Sequence, residues 1–179
     1  MLTAVPYLGK EQSRPDGDMP LGHYYTKLLT DPYHHTNRNV TTDNWFTSVP
    51  LVQDLYDNCE MTLVGTIRGI KKEAPAQMKD TSSRELGSSA FLFTDALTLV
   101  SYVPTTSKKK KNVLLLSSMH SSPSLGQTGK PVIVEFYNKT KGGVDAFDQM
   151  SAIYSCGRCI NRWPMCIFYG MIYIPVYRN

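Results

Sequence analysis

Apolar residues recur every three or four positions in two stretches of the first third of the chain, and each stretch predicts a helix. The first stretch covers residues 21–29 and ends at Asp31-Pro32, because proline cannot continue a helix. The second covers residues 45–59, where Pro50 lies inside the pattern and predicts a shifted or kinked helix. Two helices are therefore expected, with a short and mostly polar segment between them.

Shorter apolar runs without helical spacing predict β-strands. In chain order these runs are residues 39–43, 61–68, 89–93, 97–103, 112–117 and 132–137. Asp95-Ala96 separates two of the runs and predicts a hairpin turn. The polar segment 69–87 contains one predicted helical turn near residues 75–79, and a longer helical segment is predicted from Gly142 onward.

The order of these elements predicts an α/β fold, because helices and strands alternate before a β-rich middle and a helical end. Residues 1–68 are predicted to form the first part of the α/β core. Residues 69–130 are predicted to be a β-rich insertion, and residues 131–179 to return to the core as one strand and several helices.

Composition narrows the class of protein. The chain has 179 residues, 41% of them hydrophobic, and a net charge of +4 that is compatible with nucleic-acid contact without requiring it. Four unevenly spaced cysteines do not suit a secreted disulfide scaffold, so an intracellular setting is expected. No signal peptide is predicted, and the most apolar segment, residues 166–177, is shorter than the roughly 20 residues of a membrane span.

Three carboxylates lie at predicted junctions of secondary structure. Asp43 ends a predicted strand, whereas Asp145 and Asp148 lie on one face at the start of a predicted helix. Carboxylates at strand ends and helix starts, far apart in sequence, are what a two-metal phosphoryl-transfer site needs. The residues alone leave ordinary roles open: Asp43 as the N-cap of a helix beginning at Trp45, and the other two as solvent-exposed acids near a helix N-terminus.

The sequence around these acids resembles segments of the piggyBac family of DNA transposases. The matching segments are Thr42–Ser48 (TDNWFTS), Thr140–Asp145 (TKGGVD) and Asp148–Met150 (DQM). Residues 64–68, 97–102 and 161–165 resemble further family segments in the same order. Because several distinct segments occur in family order over most of the chain, the resemblance is specific.

The resemblance implies a ribonuclease H-like transposase core with a β-rich insertion between the second and third catalytic aspartates. Asp43 and Asp145 would then be catalytic ligands of Mg²⁺ in DNA cleavage and strand transfer, with Asp148 in support. Their separation, 145 − 43 = 102 residues, leaves room for the insertion. The resemblance also implies DNA as the partner, a nuclear location and no membrane partner, and it is compatible with a homo-oligomer.

One departure from the family pattern lowers the expected activity. The family's first catalytic aspartate precedes the segment that residues 5–10 resemble, and no aspartate occurs here before Asp16. Asp16 and Asp18 lie in a Pro/Gly loop that matches no catalytic segment. We therefore expect a core without its first strands and first ligand, with little or no catalysis. The alternatives are a domesticated DNA- or protein-binding module that keeps the scaffold, and a degraded gene fragment without a stable fold.

Basic residues are the candidate DNA contacts. They are Lys71, Lys72, Lys108, Lys109, Lys110, Lys111, Lys139, Lys141 and Arg162. Such residues neutralise DNA phosphates, although runs of this kind also occur in ordinary solvated loops.

Cys156 and Cys159 form a C-x-x-C motif that could bind zinc together with Cys59 and Cys166. However, Cys59 and Cys166 lack the usual short spacing of a second ligand pair, and they fit buried apolar positions better.

Overall fold

The structure is a computed structural model that describes residues 5, 17, 19–107, 111–153, 162–165 and 168–169. The chain divides into two compact units. The larger unit contains residues 8–141, and the smaller one contains residues 1–7 and 142–179. Each unit is described by itself below.

One five-stranded sheet organises the larger unit, with the strand order β1-β2-β5-β4-β3. The strands are β1 (Asn39–Thr42), β2 (Thr62–Thr66), β3 (Ser89–Phe93), β4 (Thr98–Tyr102) and β5 (Val113–Ser117). β1 and β2 are parallel, whereas the β2–β5, β5–β4 and β4–β3 pairs are antiparallel. The five strands predicted before residue 120 are therefore confirmed, as is the turn between β3 and β4.

The strands of the middle segment continue the sheet that β1 and β2 begin. β5 pairs with β2, and the register places Val64 opposite Ser117 and Thr66 opposite Leu115. β4 and β3 then extend the same sheet outward. In this structure the predicted β-rich segment is thus part of one continuous sheet with the preceding strands.

Helix α2 (Val49–Cys59) provides the crossover that the parallel β1–β2 pair requires. It begins later than predicted, because residues 44–46 form a turn and the Ser48 hydroxyl caps the helix by accepting a hydrogen bond from the Leu51 N–H at 3.4 Å. Pro50 lies in the first turn, where its missing N–H costs no hydrogen bond. The predicted start at Trp45 is therefore wrong, and the predicted shift by Pro50 is seen as a later start of the helix rather than as a kink.

Helix α1 (Leu21–Thr30) and the 3₁₀ turn Asp31–Tyr33 confirm the first predicted helix and its end. A polar cluster ties α1 to α2. The carboxylate of Asp54 accepts hydrogen bonds from His23 Nε2 and Lys27 Nζ, each at 2.8 Å. α3 is a single turn, Ala76–Lys79, at the position where the sequence predicts one.

Helix α4 (Val132–Thr140) occupies the segment that the sequence predicts to be the last strand, so that prediction is wrong. Pro131 precedes the helix and fixes its entry, and the segment presents Ile133, Val134 and Tyr137 toward one side. That i, i+1, i+4 spacing is helical, but the β-branched and aromatic composition resembles that of a strand.

The sheet is covered by helices on both faces. Successive strand residues point to opposite faces, so Leu63, Leu99 and Leu116 pack against α2, whereas Val64, Val100 and Leu115 pack against α4. Every residue of β4 is buried. The larger unit is therefore a three-layer α/β/α arrangement with β4 and β5 at the centre of its core.

In the smaller unit the structure describes helix α5 (Gly143–Ile153) and a helical turn at residues 163–165. The predicted helix beginning near Gly142 is thus confirmed as far as residue 153. Cys156, Cys159 and Cys166 lie outside the described residues, as do Asp16 and Asp18. Within the part of the chain that the structure describes, no helix combines the length and apolar character needed to cross a bilayer.

Candidate metal and nucleic-acid site

Asp43 lies immediately after β1, exposed to solvent, as the first residue of a tight turn. Its Oδ1 accepts hydrogen bonds from the backbone N–H groups of Trp45, at 2.9 Å, and Phe46, at 3.4 Å. This is the Asx-turn pattern, and Ser48 rather than Asp43 caps the following helix. Oδ2 makes no hydrogen bond to any residue that the structure describes.

Thr47 holds this turn from the protein interior. Its side chain and backbone are fully buried, and both its N–H and its hydroxyl donate to the Asp43 carbonyl, at 3.1 and 2.7 Å. The same hydroxyl lies 2.8 Å from the hydroxyl of Thr42. Because these bonds tie both ends of the turn to each other, the position of the Asp43 carboxylate is set by buried groups.

Gly65 on β2 makes room for that hydroxyl pair. It is the register partner of Thr42 in the parallel β1–β2 ladder. A Cβ atom at this position would lie 2.3 Å from Thr47 Oγ1 and 2.5 Å from Thr42 Oγ1. Real Cβ contacts are essentially never this short, so the turn requires glycine here because of close approach.

Two cations flank the turn on the side of the loop that follows β2. Arg68 Nε donates to the Asn44 side-chain oxygen at 2.7 Å, and Lys71 Nζ donates to the Thr47 carbonyl. Sequence reasoning predicted Lys71 as a DNA contact and did not identify Arg68. The Lys71 ammonium holds the turn through the Thr47 carbonyl, and both cations contact the turn that begins at Asp43.

The other predicted basic residues differ in their surroundings. Lys72, Lys111, Lys139, Lys141 and Arg162 are exposed. Lys141 Nζ also lies 5.9 Å from the centre of the Tyr137 ring, as a cation–π contact. Lys108, Lys109 and Lys110 lie outside the described residues.

The end of α4 lies beside β1. The Thr41 hydroxyl donates to the Thr140 hydroxyl at 2.9 Å, across 99 residues of sequence. Thr41 is two residues before Asp43, so the last turn of α4 is anchored close to the strand that carries this acid. This contact was not expected, because the sequence predicts a strand rather than a helix over residues 132–137.

Asp145 and Asp148 belong to the smaller unit. Both are exposed, and Asp145 lies in the first turn of α5. Residues three apart on a helix share a face, so the predicted pairing of these two carboxylates on one side of α5 is confirmed. The predicted approach of Asp43 to Asp145 stays a prediction.

The described residues fit a hard divalent cation only in part. Carboxylate oxygens are the ligands that Mg²⁺ prefers, and Asp43 offers one that no described group engages. Within the described ranges, however, no group of three or more His, Cys, Asp or Glu residues is arranged to hold a metal.

Cys59 is buried at the end of α2, and burial raises the pKa of its thiol, as expected for a core residue.

Comparisons with known proteins place this geometry in a family. The model of the family described as Transposase IS4 matches residues 3–177. The cryo-EM structure of a piggyBac transposase synaptic complex with hairpin DNA matches 95% of this chain at 47% identity, with a TM-score of 0.86. This chain spans 35% of that transposase chain. None of the curated proteins compared gives a match.

Proposed function

Because this chain belongs to the Transposase IS4 family, we propose that it supplies carboxylates and DNA contacts for cleavage and strand transfer by a piggyBac-type transposase. The match to piggyBac transposase confirms the resemblance noted from the sequence and the ribonuclease H-like α/β fold. The family is generally dependent on divalent metals. The observation that carries the proposal is the fixed Asp43 turn at a strand end, whose carboxylate has one oxygen that no described residue engages.

We propose that Asp43 and Asp145 bind Mg²⁺ and that Asp148 supports the site. The Thr140 hydroxyl accepts a hydrogen bond from Thr41 on β1. Asp145 follows Thr140 by 145 − 140 = 5 residues. Five residues extend at most about 18 Å, so chain connectivity is compatible with Asp145 reaching the end of β1. A bound divalent cation would activate a nucleophilic oxygen and neutralise charge on the phosphate.

We further propose that DNA lies along the exposed basic residues Lys72, Lys111, Lys139, Lys141 and Arg162. The relative with the matching structure forms a synaptic complex with hairpin DNA. Lys71 keeps a positioning role, because its ammonium already binds the Thr47 carbonyl. A nuclear location and self-association on DNA follow from this function.

A second candidate function is a scaffold that binds DNA without cleaving it. The observation that favours it is that no three His, Cys, Asp or Glu residues among those that the structure describes are grouped to hold a metal. Mg²⁺ prefers near-octahedral geometry and dehydrates reluctantly, so two carboxylates hold it weakly. In this case metal binding would be millimolar and strand cleavage would be lost.

Titration of Mn²⁺, followed by its electron paramagnetic resonance signal, tests the metal site directly. We expect weak binding by the wild-type chain and its loss in both Asp43→Asn and Asp145→Asn. Asp57→Asn is the matched control, because Asp57 is an exposed acid on α2 that belongs to neither motif. Equal binding by Asp43→Asn and Asp57→Asn would contradict the site.

Cleavage of duplex DNA carrying piggyBac-type ends then separates the two candidate functions. Metal-dependent nicking that Asp43→Asn abolishes supports transposase chemistry in this chain. DNA and metal binding without nicking supports the non-cleaving scaffold, which is the result expected from the sequence. Nicking that survives in Asp43→Asn would mean that the reaction does not use this carboxylate.

A further inference from the structure

We propose that the cleft between α4 and the sheet binds one unpaired nucleotide of a DNA strand. This cleft has a volume of about 450 Å³, within the usual range for ligand pockets. Its floor includes Leu115 and Val134, which are buried, and its wall includes the ring of Tyr137. Asn44, the residue directly after Asp43, lies at its edge.

The charge of the cleft favours an anion. Lys130 and Lys141 both line it, and none of the described lining residues carries a carboxylate. Three other cavities of the larger unit each include one, namely Glu73, Glu135 or Asp31. The cleft beside α4 therefore differs from these cavities in having two lysines and no acidic residue among its described lining, although Lys130 also lies near Glu135 outside the cleft.

The remaining lining groups suit a base attached to that anion. Tyr137 lines the cleft and supplies an aromatic ring. Its hydroxyl lies 3.5 Å from the Oγ1 of Thr66, which also lines the cleft. Asn138 offers a side-chain amide, which both donates and accepts hydrogen bonds as base edges do, and Asn44 adds amide N–H donors while its oxygen accepts from Arg68. Proteins hold single-stranded nucleic acid by binding its phosphates with basic side chains and by stacking its bases on aromatic rings. The lysines and Tyr137 would make these contacts here, and the asparagines would hydrogen-bond the edge of the base.

The position of the cleft indicates that the nucleotide belongs to a DNA strand. Asn44 links the cleft to the Asp43 turn, so a strand held at the proposed metal site would continue into the cleft. A base inside a duplex is stacked and cannot enter such a pocket, so the nucleotide must be unpaired. The assignment to DNA rests on the proposed function, whereas the cleft and its charge do not.

The test uses fluorescence anisotropy with a fluorescein-labelled hexathymidylate and the same strand with two central abasic sites, in EDTA. We expect the wild-type chain to bind the intact strand about tenfold more tightly, a typical effect of stacking one base on a ring. Tyr137→Leu should bring this ratio close to one, whereas Tyr137→Phe should preserve it. Lys139→Gln, which removes a charge from the same helix outside the cleft, should weaken both strands equally.

A second pair of variants avoids the partly buried tyrosine. Thr106 is an exposed lining residue, and Thr106→Glu adds a carboxylate at the cleft. Ser83→Glu adds the same charge at an exposed turn that does not line the cleft. We expect Thr106→Glu to weaken hexathymidylate binding several-fold more than Ser83→Glu does, with both variants folded by circular dichroism.

Each alternative result overturns the assignment in a recognisable way. Equal affinity of the wild-type chain for the intact and abasic strands would remove the base site. Tighter binding of hexauridylate would assign the cleft to RNA, and equally effective competition by free thymidine monophosphate would assign it to a mononucleotide. Since EDTA removes metal ions, the anisotropy measurement does not depend on the metal site, so failure of the metal site and failure of the cleft are measured separately.

Discussion

At the scale of single residues, the position of the candidate carboxylate depends on groups that carry no charge. Thr42, Thr47 and Gly65 fix the turn, and two of them are brought together only by the β1–β2 register. The sequence motif around Asp43 identifies the acid by resemblance. It does not identify Gly65 or Arg68, because their roles arise from pairing between segments that lie about 20 residues apart.

Gly65→Ala tests this dependence. The added methyl group would lie 2.3 Å from Thr47 Oγ1 and 2.8 Å from the Thr42 carbonyl, so the strands or the turn must shift. We expect a loss of about 1–3 kcal/mol in the free energy of unfolding, measured by urea denaturation, and weaker Mn²⁺ binding. Gly69→Ala is the control, because its methyl group would meet only Leu114 Cδ1 at 3.8 Å. Equal stability of the two variants would contradict the close approach.

The Asp54 carboxylate gives a pH-dependent prediction. Burial raises its pKa, but hydrogen bonds from Lys27, Asn58 and His23 outweigh burial and lower the pKa from 3.8 to about 2. Since the unfolded chain binds the proton more tightly, this stabilisation is present above pH 3.8 and is lost as the pH falls toward 2. After solvent screening, the contribution is about 1–2 kcal/mol.

Urea denaturation of the wild-type chain and Asp54→Asn between pH 5 and pH 2 measures this contribution. We expect the difference in stability between them to shrink as the pH approaches about 2, because the wild-type carboxylate becomes protonated there. Asp57→Asn, which changes an exposed acid on the same helix, should show no such convergence. A constant difference between the wild-type chain and Asp54→Asn would rule out the lowered pKa.

At the scale of elements, the segment before the TKGGVD motif shows where sequence patterns fail. Its β-branched and aromatic residues predict a strand, yet it forms α4 and covers one face of the sheet. A run of six apolar-rich residues does not distinguish a strand from a buried helix by periodicity alone. Helix α2 was predictable because its apolar residues recur with helical spacing and form its buried side. Helix α1 was found by the same spacing, although its buried residues are Gly22, His23, Thr26 and Thr30.

Ile133→Ala tests the packing of α4. Ile133 is 3% exposed and contacts the core cluster of Val64, Val100 and Leu115. Truncation should lower the free energy of unfolding by about 2–4 kcal/mol. Lys139→Ala, at an exposed position of the same helix, should change it by less than about 0.5 kcal/mol. Similar losses in both variants would contradict a helix with one buried side.

At the scale of the whole molecule, the fold class followed from the order of elements and from the family resemblance, but the sheet order did not. Strand pairing between β2 and β5 joins segments about 50 residues apart, and no local pattern encodes that partner. The basic surface was predictable as a set of lysines. Their division into exposed candidates and the turn-binding Lys71 required the three-dimensional structure.

DNA binding should depend steeply on salt because each neutralised phosphate releases a counterion. We expect the affinity of the wild-type chain for random-sequence duplex DNA to fall linearly on logarithmic axes between low and moderate salt. Lys72→Gln should reduce the magnitude of the slope by about 0.9, since Lys72 is exposed. Lys79→Gln, whose ammonium donates to the Lys71 carbonyl, should change it less. Slopes that do not differ would contradict a contact at Lys72.

The β2–β5 ladder joins two parts of the sheet that are each built from nearby sequence. One part is β1-α2-β2, which contains the whole Asp43 turn, and the other is the β3-β4-β5 meander. This β2–β5 seam has three register pairs. It is bounded by two backbone hydrogen bonds, from the Ile67 N–H to the Leu114 carbonyl and from the Ser118 N–H to the Leu63 carbonyl. We expect this seam to separate two cooperative units, because such units often coincide with supersecondary motifs. The Ile67 and Ser118 amides should therefore exchange with deuterium together, at a rate that reports separation of the two halves while the Asp43 turn stays closed.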